Sequence, residues 1–329
     1  MSAAKLGIVL LVTAACLIWV LWGIDWSQIQ VSLTDAEWIY VAPVFGMYFL
    51  NHCIRSWRLR LLLDRPDIPF KEMFAITTVG FLAINVVPLR LGEFVRPYML
   101  MERDGVPFGE SLAAIFVERM VDLMCLMALL LLVGWVVDLP EQGVVVQGID
   151  VFAAGQKVVG TGIGVGLIGL VVLRVVGEPL IRLIPVAKVQ GLARSFHTGL
   201  VSMTARPLAT LAVLAVSGAM WANICLATWC VMLGFEGIPA AWDTAMTTWT
   251  ITITGMTVAP TPGFFGTYEA FCTASLLLWE VDREVATTFA LVLHLTQFLW
   301  IVGLGSVYLF VEGISLRKIV AKSREAAAS

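Results

Sequence analysis

Six apolar stretches, each about long enough to cross a bilayer, constrain this chain more than any other feature: roughly 6–24, 38–54, 111–137, 158–176, 208–235 and 285–311. A helix rising ~1.5 Å per residue needs about 20 apolar residues to traverse the hydrocarbon. In lipid every backbone polar group must be satisfied internally, so long continuous runs predict helices. The fold class expected is therefore an all-α polytopic membrane protein with no soluble domain of any size. Charged residues make up only 14% of the chain and hydrophobic ones 59%, against about a quarter charged in globular domains. The first run follows Lys5 and exceeds the ~7–15-residue core of a secretion signal, so it reads as an uncleaved span.

Two further pairs of apolar segments are too short to span: about 72–87 with 94–101, and about 243–259 with 267–279. Pro88-Leu89-Arg90-Leu91-Gly92-Glu93 splits the first pair, and Pro260-Thr261-Pro262-Gly263-Phe264-Phe265-Gly266 the second. Lys and Arg collect in alternate short loops, as they do on the cytoplasmic side. They follow the second span (Arg55, Arg58, Arg60, Arg65, Lys71) and fill the loop near 177–207 and the tail, whereas loops 25–37 and 236–242 have none. This pattern places both termini in the cytoplasm if each short pair is a re-entrant hairpin. The halves 38–137 and 208–315 then repeat one unit in opposite orientations: long helix, short helix, Pro/Gly break, short helix, long helix. Inverted repeats with broken helices are the architecture of secondary transporters. The expected organisation is a single transmembrane domain over 1–329, with 1–37 as first span and loop, 138–207 as linker span and cytoplasmic loop, and 316–329 as tail. Coincidence is the competing reading, because Pro and Gly are common in membrane helices.

Charges inside these spans are the candidate functional groups, because a lone charge at mid-membrane costs about 2.5–3.5 kcal/mol. Glu118, Arg119 and Asp122 recur at three and four residues on one helical face. An Arg–Asp lock between helices explains them structurally; an arginine receiving an anionic group explains them functionally. His294, with Gln297 three residues on, occupies the counterpart span. A lone His is commonly a satisfied core residue, yet it titrates near neutrality and could relay protons. Asn85, Arg90, Glu93 and Arg96 cluster at the first break, where guanidinium groups would match phosphate or simply anchor the hairpin at the cytoplasmic face. Glu269 just past the second break is a candidate proton-titrating carboxylate, behind a helix dense in threonine from Thr244 to Thr257. Helix packing through small polar residues is the alternative there. The stretch Arg55-Ser56-Trp57-Arg58-Leu59-Arg60 reads as interfacial anchoring.

Several chemistries are not expected. The six cysteines lie in apolar runs without a CxxC spacing, and three histidines are too scattered for a tetrahedral metal site. No GxxxxGK[ST] or HExxH pattern occurs, and a net charge of −3 gives no basic field for nucleic acid. No metal, cofactor or catalytic residue is therefore assigned.

The spaced motifs are also familiar. Asn51–Leu63, Gly80-x4-Asn85-x2-Pro88-x-Arg90-x-Gly92-Glu93-x2-Arg96, Ser111-x6-Glu118-Arg119-x2-Asp122 and Pro260-x-Pro262-Gly263-x2-Gly266-x2-Glu269 together resemble the lysylphosphatidylglycerol synthase transmembrane-region family. The resemblance runs from about residue 5 to 315. It implies movement of a lipid with a polar headgroup, as in the flippase half of the bifunctional family members. Their aminoacyl-transferring soluble domain has no counterpart here, so synthesis of lysyl-lipid is not expected. The break also carries Gly263-Phe264 where the family usually has a Gly-Gly pair.

The function expected is thus a non-enzymatic flippase or transporter in the bacterial inner membrane, ion-coupled or passive, for a lipid with a phosphate-containing headgroup. Arg90, Arg96 and Arg119 would hold phosphate; Glu93, Glu118, Asp122 and Glu269 would balance charge and exchange protons. The alternatives are a scaffold for a lipid- or glycan-modifying partner and an intramembrane lipid-modifying enzyme. Partners expected are membrane lipids, with a homo-oligomer or a lipid-synthesis protein left open.

Overall fold

The computed structural model describes residues 16, 18, 20, 22–87, 92–137, 145–146, 149–311, 313 and 315–328. Most of the expected first span, and Arg90 with the rest of 88–91, lie outside them. Among the described residues from 22 onward, twelve α-helices follow in order: α1 Trp26–Asp35, α2 Ala42–Leu63, α3 Phe70–Val86, α4 Val95–Asp104, α5 Phe108–Val136, α6 Val151–Arg182, α7 Ala187–Thr204, α8 Pro207–Met232, α9 Trp242–Val258, α10 Thr267–Leu277, α11 Arg283–Val311 and α12 Leu316–Ala328. A two-residue antiparallel pairing, Val145 with Asp150 and Val146 with Ile149, precedes α6.

Ala153–Arg182, Pro207–Met232 and Arg283–Val311 are long and apolar enough to cross a membrane. Val165, Ile168 and Val175 of α6 and Leu208 and Leu211 of α8 are exposed. An outward apolar surface of this extent is costly in water and ordinary against acyl chains. These helices are consistent with a multi-pass membrane protein.

Three segments expected to be loops are helical. Residues 25–37 hold α1, whose N-cap Asp25 accepts from Ser27 N (2.9 Å) and Ser27 Oγ (2.6 Å). These bonds hold the Asp25 carboxyl below its usual range, the Ser27 hydroxyl contributing most. The capping serves one of the orphan amides of the first turn, a signal that a search for charges alone passes over. The basic loop 177–207 continues α6 through Pro179 and then forms α7, which buries Gly199, Leu200 and Met203. The tail is α12, packed on α4 through Ile319, Val320 and Ser323.

The chain divides into two compact units: residues 51–124, 161–220 and 301–329, and residues 1–50, 125–160 and 221–300. The first contains α3 and α4. Ten residues of α3, from Met73 to Ala83, are buried. A Cβ on Gly80 would sit 2.2 Å from Cγ of Arg96, and one on Gly92 would sit 2.2 Å from the Ala83 backbone. Glycine is what lets α4 and Gly92 lie directly on α3.

The second unit contains α9 and α10. Buried residues run from Thr244 to Met256 along α9 and through nearly all of α10. A Cβ on Gly255 would sit 2.1 Å from the Phe271 ring. Between the helices, a 3-10 turn at Pro262–Phe264 reverses the chain, with Gly263, Phe264 and Gly266 at φ of 59°, 63° and 84°. Phe264 is the strained member, because a side chain disfavours the left-handed region.

Candidate functional site

In the unit holding α3 and α4, α2 and α5 are long enough to carry charges into the interior. Asn51, Arg55 and Arg58 of α2 recur at four and three residues, so they share a face. Arg58 is 1% exposed, while Trp57 next to it is 54% exposed. The expectation that this stretch is merely an interfacial anchor is therefore corrected at Arg58: helical spacing turns Trp57 outward and Arg58 into the core.

A chain of alternating charges follows. Arg96 Nη1 donates to Glu118 Oε2 at 2.7 Å, and both side chains are 1% exposed. Glu118 Oε1 lies 3.5 Å from Arg58 Nε. Arg58 continues to Asp122 through Nη1 (2.6 Å) and Nη2 (3.3 Å), and to Ser217 Oγ of α8 at 3.0 Å. Asp122 Oδ2 accepts from Arg119 Nη1 at 3.4 Å, and Arg119 Nε lies 3.8 Å from Glu93 Oε1. Arg55 stands at the edge, donating to Asn51 Oδ1 at 2.7 Å with its guanidinium 4.6 Å from the Phe81 ring centroid. Arg96 approaches the same ring at 5.5 Å.

Among the described residues, four guanidinium groups meet three carboxylates here, an excess of one positive charge in a largely buried network. Arg96 Nε and Nη2 are buried without a hydrogen-bond partner among the described residues. A buried charged donor left unsatisfied costs more than a neutral one. Arg119 is 35% exposed, so the network reaches the surface through it. What the arrangement can do chemically is take an oxyanion, which supplies both the missing negative charge and the missing acceptors.

A second polar centre lies in the other unit, at the break between α9 and α10. His294 Nδ1 is 2.6 Å from Glu269 Oε1, and Nε2 is 3.1 Å from the Gly263 carbonyl oxygen. Gly266 N donates to Glu269 Oε2 at 2.7 Å. Tyr268 stacks on the imidazole at 4.3 Å with planes 9° apart, and the Phe265 ring lies 4.8 Å away. Glu269 is 1% exposed and His294 3%. Along α9, Thr252, Thr254 and Thr257 donate back to carbonyls four residues earlier, while the buried hydroxyls of Thr244, Thr247, Thr248 and Thr250 have no partner among the described residues.

A sequence pattern described as the lysylphosphatidylglycerol synthase TM region matches residues 4–305. The chain belongs to this family. Among curated proteins it is similar to glycosyltransferase AglD of Haloferax volcanii, 30% identical over 125 residues, which is 36% of this chain and 20% of that protein. The chain therefore spans about a fifth of that relative's length. No solved structure matches with significance.

Within this family member, the sequence-derived candidates fall into three sets. Arg96, Glu118, Arg119, Asp122 and Glu93 come together in one network, and Glu269 and His294 pair directly. Asn85 instead donates to Phe81 O, four residues back in its own helix, at 2.9 Å. Gln297 is half-buried and joins neither group among the described residues. Arg90 lies outside the described residues. Arg58, Arg55 and Ser217 were not among the candidates. Their signal was present, since Asn51, Arg55 and Arg58 share one helical face, but a basic stretch at a span's end reads first as headgroup contact. Ser217, in an apolar helix with no other charge nearby, carried no signal. No group of three or more metal-ligating side chains is present among the described residues.

Proposed function

We propose that this protein moves a lipid with a phosphate-containing headgroup across the bacterial inner membrane, without chemically altering it. The observation that carries the reading is the arginine network, which among the described residues has an excess positive charge and leaves two buried Arg96 nitrogens without acceptors, with Arg119 open to the surface. A phosphate would take bidentate hydrogen bonds from such groups, while the acyl or prenyl chains stay in the bilayer. Membership of a lipid-related membrane family supports the same reading.

The transport architecture belongs to the proposal: six full spans and two re-entrant hairpins in an inverted-topology repeat, with both termini cytoplasmic. In its support, the paired short helices have 17 and 10 residues in one unit and 17 and 11 in the other. At ~1.5 Å per residue the longer pair members reach about 25 Å and the shorter about 15 Å, below the ~30 Å hydrocarbon thickness. Alternating access would come from movement of one repeat against the other.

The deciding experiment reconstitutes the full chain in vesicles carrying a headgroup-labelled anionic phospholipid in one leaflet. Wild type should deplete that leaflet faster than protein-free vesicles, and Arg119→Ala should fall to the vesicle background. Equal rates for wild type and protein-free vesicles, across anionic and zwitterionic lipids, would remove the transport reading. A second reading, work beside a glycan-modifying partner on a lipid-linked substrate, draws on the similarity to glycosyltransferase AglD. It would gain if the protein bound such a lipid but left its leaflet distribution unchanged.

A further inference from the structure

The break between α9 and α10 is braced by hydrogen bonds that require one particular proton. Thr261 Oγ1 donates to Phe265 O at 2.8 Å and lies 2.8 Å from Thr267 Oγ1, which also contacts Phe264 O at 3.1 Å. Glu269 holds the turn from one side through Gly266 N (2.7 Å), and His294 of α11 holds it from the other through Gly263 O (3.1 Å). Glu269 and His294 meet at 2.6 Å.

A carbonyl oxygen has no proton to give, so the bond to Gly263 O requires a hydrogen on Nε2. The contact between Nδ1 and Glu269 Oε1 then needs a second proton. It resides on the nitrogen, as imidazolium facing carboxylate, or on the oxygen, as neutral imidazole facing carboxylic acid. Both forms are neutral overall and hold the same number of protons. When that proton leaves, the imidazole keeps a single N–H for two acceptors. Whichever nitrogen keeps it, the other turns a lone pair toward an oxygen, and a buried carboxylate is left with Gly266 N as its donor among the described residues. One of the two bonds must then break.

We propose that Glu269 and His294 form a proton-binding site whose occupancy latches the Pro260–Gly266 break, releasing it when the proton leaves. This deepens the transport reading, on which its biological meaning rests, by naming the proton as the coupling ion. Among the described residues, the other titratable groups around the pair are Tyr268, stacked on the ring, Cys272 one turn along α10, and Tyr48 of α2, which acts electrostatically on Tyr268. Phenols and thiols are ordinarily neutral near neutral pH, so they do not supply the missing charge. Among the described residues, His294 is the ion-pair partner of Glu269. The strained Phe264, at φ 63°, gives the released turn a relaxed conformation to adopt.

Hydrogen–deuterium exchange on the full chain in lipid nanodiscs, corrected for the intrinsic pH dependence of exchange, tests the latch. In wild type, protection of amides in 260–270 should fall about tenfold or more as pH rises through loss of the proton. Glu269→Gln should keep that protection at every pH. Its amide can donate to Nδ1 while its carbonyl accepts from Gly266 N, which reproduces the protonated pair. Glu269→Ala should lack protection throughout. Identical pH profiles for wild type and Glu269→Gln would overturn the site, and 15N-histidine spectra showing His294 unchanged through the same titration would do so independently. The leaflet assay separates the two ideas. A protection step without translocation removes the transport reading alone; translocation with pH-independent protection removes the proton site alone.

Discussion

The helix–break–helix segments of the two units share lengths and the use of glycine for close approach, yet they bury opposite kinds of chemistry. In one, Gly80 leaves room for the shaft of Arg96, and the space is spent on an extended ion network of four arginines and three acids. In the other, Gly255 leaves room for the Phe271 ring, and among the described residues the ionisable pair in hydrogen-bond contact there is Glu269 with His294. The arginine network has fixed charges, because guanidinium groups stay protonated. The His–Glu pair has a movable one. As proposed, one segment holds an anion and the other binds a proton.

The sharpest way to break that contrast is to make the same substitution in both. Glu118→Gln leaves Arg58 and Arg96 buried without their shared carboxylate and should cost about 3–5 kcal/mol, the range for breaking a buried pair from one side. Thermal unfolding in detergent would show a large fall in midpoint. Next in size is Gly255→Ala, whose methyl would press into the Phe271 ring and should cost about 1–3 kcal/mol as overpacking. A midpoint equal to wild type would mean that the helices can part without penalty, contrary to their observed contact. Glu269→Gln should change stability by less than about 1 kcal/mol, because an amide can replace both hydrogen bonds of the protonated acid. If it cost as much as Glu118→Gln, the pair would carry a fixed charge and the contrast would collapse. Arg119→Ala should be mildest, within about 1 kcal/mol, since a partly exposed ion pair contributes little; its effect belongs to ligand retention.

Much of this was legible in the sequence for a physical reason: lipid enforces long apolar helices and punishes stray charge. The helical, apolar character of the chain, the non-helical turn at Pro262–Phe264 and the charged positions 96, 118, 119 and 122 follow from that penalty. Partner choice did not follow. Glu118 pairs with Arg96 and Arg58 rather than with its neighbour Arg119, because side-chain direction on a packed helix depends on helices far away in sequence. Arg58 reads as a headgroup contact because basic residues at a span's end usually are; the packing that turns Trp57 outward and Arg58 into the core is not visible in the charge pattern. The union of Glu269 with His294 across 25 residues needed a turn geometry that composition does not encode. Helices α1, α7 and α12 escaped the reading because their signals are caps and amphipathic faces, weaker than an apolar run.

Mass spectrometry of lipids retained by the purified protein, wild type beside Arg119→Ala, tests the central claim most directly. The account predicts an anionic phosphate-bearing lipid enriched over the bulk membrane in wild type and lost in the variant, with both proteins equally folded. Bulk lipids in equal proportion from the two would contradict it, and would make the arginine network a lock between helices rather than a site.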